Sequence, residues 1–119
     1  MRTPFVHTAV VELADGAAVD GPGAAITLAL CGSWEHDPPC PLAAHHTRAD
    51  AVGDEVRLRV LFAAEPADEA RVRALVESAL AGGSVVGPDG RTSRWTVLGA
   101  GPGVVEPEEA AHGERLTRS

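Results

Sequence analysis

Lysine, asparagine, glutamine and tyrosine are missing from this chain of 119 residues, and Ile26 is its only isoleucine. Every one of its ten cations is therefore arginine. Such a bias fits a GC-rich coding sequence, so no functional meaning is read from the absent lysines. An excess of positive charge is missing too: ten basic against seventeen acidic residues give a formal charge of -7 and a sequence pI of 5.1. This excludes a broadly basic surface for neutralising phosphates, and with it nucleic acid and anionic membrane as expected partners. No apolar run approaches the roughly 20 residues of a membrane span, and residues 1–5 lack the apolar stretch of a signal peptide. The expectation is a soluble, cytoplasmic protein. A chain of this length buries about two thirds of its unfolded surface, enough for one core but not two.

What is present reads first as strand. Phe5 to Leu13 mixes Val6, Val10 and Val11 with Thr8, a β-branched composition that stops at Asp15-Gly16. A small, flexible stretch up to Gly23 reads as loop. From Ala24, the alternation of Ile26, Leu28 and Leu30 against Thr27, Ala29 and Cys31 predicts a second strand, paired with the first as a hairpin. The clearest alternation runs from Glu55 to Ala63, with Val56, Leu58, Val60 and Phe62 on one face and Arg57, Arg59 and Leu61 on the other.

After Pro66, the spacing of Val72, Leu75, Val76, Ala79 and Leu80 predicts a helix with one apolar stripe, closed by Gly82-Gly83. Val85-Val86 and Thr92 to Leu98 flank the turn residues Gly87-Pro88-Asp89-Gly90 and predict a hairpin. Residues 106–119 hold four Glu and only Leu116 as a large apolar side chain, which predicts a flexible acidic tail beyond a domain at 1–105.

The segment from Gly32 to Asp54 follows neither period. Loops beyond about 12 to 15 residues are uncommon in compact domains unless they carry function or disorder. With Cys31 just before it, this one gathers Cys31, His36, Cys40, His45 and His46: both cysteines and three of the five histidines. The spacing C-x4-H-x3-C-x4-H matches no CxxC pattern, yet thiolate and imidazole together are preferred zinc ligands and a Cys2His2 set completes a tetrahedral shell. Neighbouring His45 and His46 diverge, so one of them would complete that shell. Three other readings stand beside zinc: buried packing cysteines with solvated histidines, a Cys31–Cys40 disulfide, and a cysteine thiolate paired with histidine for catalysis.

Further features are weaker. Gly99-Ala100-Gly101-Pro102-Gly103 lacks the spacing of a dinucleotide fingerprint. Arg57 and Arg59 on the wet strand face suit an anionic ligand, although alternating charges commonly serve only to solubilise a strand. Trp34 and Trp95 are expected to anchor the core, and His7 to be a hydrogen-bonded strand residue.

Together these patterns predict an α+β fold, a mainly antiparallel sheet of four to five strands with one principal helix on one face and a long Cys/His loop. A split ferredoxin-like order is disfavoured, because it needs a crossover helix between the first two strands. The functional expectation is a zinc-binding accessory or binding module with a protein partner or a second copy. The alternatives are a small metal- or cysteine-dependent enzyme on the same loop, or a metal-free accessory domain.

Overall fold

The computed structural model describes residues 1–32 and 42–118. Five strands, β1 (Thr3–Leu13), β2 (Ala44–Val52), β3 (Glu55–Ala64), β4 (Ser84–Val86) and β5 (Thr92–Gly103), form one sheet in the order β2-β3-β1-β5-β4, every neighbouring pair antiparallel. Helix α1 (Gly21–Cys31) joins β1 to β2, α2 (Glu69–Ala81) follows β3, and α3 (Ala110–Leu116) ends the chain. The α+β class and antiparallel sheet are as the sequence predicts. A single principal helix is not: α1 and α2 span 11 and 13 residues. With α1 as crossover, β1-α1-β2-β3-α2-β5 follows the split βαβ order, to which β4 adds an edge.

Helix α1 overturns the strand expected from Ala24. Its buried residues Pro22, Ile26 and Leu30 recur every fourth position, with Gly21 and Ala25 beside them. An apolar run this continuous fits period two as well as period four, and three alanines favour the helix. Pro22 occupies the first turn and Gly32, at φ 80°, terminates it with its N–H donating to the Leu28 carbonyl. The partner of β1 is therefore β3, with Phe5 opposite Phe62 and Val11 opposite Val56.

Strand β2 lies inside the segment expected to be loop. It pairs with β3 along its whole length, from Ala44 opposite Ala63 to Val52 opposite Glu55. The two-residue turn Gly53-Asp54 carries positive φ at Gly53 alone, the glycine-first arrangement of a tight hairpin.

The core fills the space between the sheet and α1 and α2: Val11, Val56, Leu58, Val60 and Phe62 from strands meet Ile26, Leu30, Val72, Val76 and Leu80 from helices. The indole of Trp95 joins them, donating to the Leu80 carbonyl at 2.9 Å. The alternation of β3, the α2 stripe and the β4–β5 hairpin follow the sequence pattern.

Within the expected acidic tail at 106–119, residues 107–116 form regular structure. Pro107–Glu109 form a 3-10 turn leading into α3, which docks on the second face of the sheet against β1 and β3. Few large side chains are needed for this docking, because Gly113 supplies the close approach: a Cβ there would lie 2.8 Å from Pro4 Cβ and 3.6 Å from Leu61 Cδ1. Among the described residues, no helix is long and apolar enough to cross a membrane.

Candidate functional site

The expected zinc site does not form among the described residues. Cys31 closes α1, and His45 on β2 faces the helices with Nδ1 3.7 Å from the Cys31 sulfur. His45 Nε2 lies 3.0 Å from the Thr27 hydroxyl, which donates to the Gly23 carbonyl at 3.1 Å. Strand alternation sends His46 to the opposite face, where its ring stacks at a tilt against His112 with centroids 5.0 Å apart. His36 and Cys40 lie outside the described residues. Among those described, no three His, Cys, Asp or Glu side chains are grouped to hold a metal ion, and Cys31 is disulfide-bonded rather than a free thiolate. The zinc-module reading is therefore overturned.

The sheet's second face offers a different arrangement. Three rows of side-chain positions cross it from β5 to β2: Gly99, Val10, Arg57 and Asp50; then Gly101, Thr8, Arg59 and Arg48; then Gly103, Val6, Leu61 and His46. Helix α3 covers the third row, with Gly113 against Leu61 and His112 against His46. The first two rows stay uncovered and line a cleft of about 630 Å³.

Its charges are unequal in partnership. Arg48 and Arg59 stand directly opposite one another, an unfavourable pairing of like charges. Each is met by a carboxylate. Arg48 Nε donates to Asp50 Oδ2 at 3.1 Å. Arg59 holds Glu109 with two hydrogen bonds, Nη2 to Oε1 at 2.7 Å and Nε to Oε2 at 3.1 Å, and Nη2 also donates to the Val104 carbonyl at 2.9 Å. The hydrogen-bonded Glu109 carboxylate raises Arg59 above the usual arginine range, and Arg59 in turn holds Glu109 below the usual carboxylate range. Among the described residues Arg57 has no such partner: Asp50, opposite it across the strands, turns to Arg48 on its own strand.

No family model matches this chain, and neither the curated proteins nor the solved structures contain a match.

Two glycines shape the cleft. A Cβ built on Gly99 or Gly101 meets nothing within 4 Å, and neither residue has positive φ. Gly99 adjoins the bulge between Val10 and Val11, but Gly101 lies in regular pairing opposite Thr8. Neither backbone conformation nor close packing requires glycine at 101, and its missing side chain leaves the strand surface open there. The glycine run is thus part of a strand and not a phosphate loop. Arg57 and Arg59 were legible from strand alternation. Arg48 lay in an unrecognised strand and Glu109 in the presumed tail, so neither was found from sequence.

Proposed function

We propose that this protein is a small-ligand-binding domain whose uncovered sheet face takes an organic anion headed by a carboxylate. The observation that carries the reading is Arg57, a cation without an acidic partner among the described residues, in a cleft kept open by Gly99 and Gly101. A guanidinium offers parallel N–H donors that match both oxygens of a carboxylate. Thr8 and Val10 beside it offer one hydroxyl and apolar contact for the remainder of the ligand. The Thr8 hydroxyl donates to the Gly101 carbonyl at 3.0 Å, which keeps its oxygen available as an acceptor.

The test is titration with propionate followed by amide chemical shifts, beside Arg57→Gln and Gly101→Val. Saturable shifts confined to Thr8, Val10, Arg57 and Gly99–Gly101, lost in both variants, are expected. Arg57→Gln removes the charge, whereas Gly101→Val fills open space without a clash. Absence of saturable shifts, or equal binding by the parent and Arg57→Gln, overturns the reading.

A further inference from the structure

Arg59 belongs to two surroundings at once. It lines the open cleft beside Arg57, and it also lines the smaller pocket formed with Glu108, Glu109 and His112 under the C-terminal segment. Its bidentate contact with Glu109 is the geometry in which an arginine grips a ligand carboxylate. Only 22% of Arg59 and 14% of Glu109 remain exposed, so this pair is more sheltered than the Arg48–Asp50 pair at 55% and 56%.

We propose that the segment from Glu106 to Leu116 is an autoinhibitory contact, in which Glu109 acts as an internal carboxylate ligand of Arg59 and competes with the second anionic group of a dicarboxylate. The inference rests on the function proposed above. With α3 docked, the cleft offers one uncommitted cation, Arg57. With Glu109 displaced, it offers two on one strand face, separated by about 6 to 7 Å along β3. That spacing selects a short dicarboxylate over a monocarboxylate. The segment is held to the sheet by close contacts rather than by large apolar side chains: Gly113 against Pro4 and Leu61, and His112 against His46. The other charged groups that act on the pair are Arg48, Glu106 and Glu108, and Glu108 makes no hydrogen bond to Arg59 among the described residues.

Glu109→Gln isolates the competition. Glutamine retains an oxygen for the backbone N–H of Glu106, now bound at 2.9 Å by Glu109 Oε1, while losing the charge that holds Arg59. Glu108→Gln makes the same change of charge without touching the guanidinium. Gly113→Ala provides a second route, because its Cβ would fall 2.8 Å from Pro4 and displace α3 with every charge intact.

Propionate and glutarate are titrated into all four proteins, with amide shifts and the Arg59 Nε–H signal as readouts. Glutarate is expected to bind Glu109→Gln about threefold to tenfold more tightly than the parent, the scale of one partly exposed charge-assisted pair. Propionate affinity should stay within about twofold, as its single carboxylate engages Arg57. Gly113→Ala should move in the same direction as Glu109→Gln, and the Arg59 signal should respond to glutarate.

Equal gains in Glu108→Gln and Glu109→Gln would reduce the effect to a general change of field and overturn the proposal. Unchanged glutarate affinity in Glu109→Gln, with propionate still bound through Arg57, would overturn autoinhibition while leaving the binding function intact. Failure of all four proteins to bind either probe would overturn both.

Discussion

His7 Nε2 lies 2.8 Å from Glu77 Oε2, joining the central strand to α2 through an imidazole that is 1% exposed. The contact is not aligned as a hydrogen bond. On the other side of the ring, Arg73 Nη1 stands 3.1 Å from Nδ1 while donating to the Val6 carbonyl at 2.6 Å. A guanidinium beside Nδ1 favours the neutral ring, with the proton on Nε2 facing Glu77. Arg73 is itself fixed by Glu69 at 2.9 Å and lies over the rings of Phe5 and Phe62.

This cluster predicts a pH-dependent stability. Burial, opposed by the Glu77 charge and reinforced by Arg73, lowers the His7 pKa below its ordinary 6.5. The unfolded chain therefore binds the proton more readily than the folded one. The contribution of His7 is present in full above about pH 6.5 and is lost as pH falls through that value toward the folded pKa. Thermal midpoints should drop between pH 7.5 and pH 5, and the drop should be smaller in His7→Gln. Partial dependence will persist there, because burial and the neighbouring His46 lower His112 as well and give it the same sign. An identical slope in parent and variant would show that His7 is not the group responsible.

The parts of this fold that were legible carry an unambiguous period. In β3, Val56, Leu58, Val60 and Phe62 are apolar every second residue, and in α2 Val72, Val76 and Leu80 define the buried stripe. Leu75 and Ala79 flank that stripe and pack only partly buried. Helix α1 was hidden because nearly all its side chains are small or apolar, leaving no polar face to reveal the period. Strand β2 was hidden for the opposite reason: its helix-facing positions are His45, Thr47 and Ala49, too polar or small to show alternation. Clustering in sequence then suggested a metal site, while the sheet placed His45 and His46 on opposite faces. The cleft draws residues from four strands, a combination that register alone creates, and the carboxylate that holds Arg59 comes from the turn before α3.

The docked C-terminal segment makes truncation costly. Removing residues 107–119 uncovers Leu61, only 3% exposed in the full chain, and deletes the carboxylate that faces Arg59. The remaining sheet face would then carry Arg48 opposite Arg59 with one carboxylate between them. The thermal midpoint is expected to fall by about 5 °C or more. Scanning calorimetry on the chain ending at Glu106 measures this directly, and an unchanged midpoint would mean that α3 contributes nothing to the cooperative unit.

Two glycines in the first turn of α1 should respond to alanine in opposite directions. A Cβ on Gly21 would stand 2.7 Å from Ser93 Cβ and 3.1 Å from its hydroxyl. Ser93 is buried, and its hydroxyl accepts the Ala18 N–H at 3.0 Å, so it cannot retreat without breaking that bond. Gly21→Ala therefore pushes α1 from β5 and lowers stability, at a cost of about 1 to 3 kcal/mol. On Gly23 the same Cβ meets Thr47 at 3.5 and 3.6 Å, ordinary van der Waals contact, and the backbone is helical without positive φ. There alanine removes the conformational freedom that glycine retains in the unfolded chain and gains up to about 1 kcal/mol. Urea denaturation of the two variants should give midpoints on either side of the parent. Stabilisation by Gly21→Ala would mean that α1 and Ser93 do not approach so closely, whereas destabilisation by Gly23→Ala would mean that the first turn is not helical in solution.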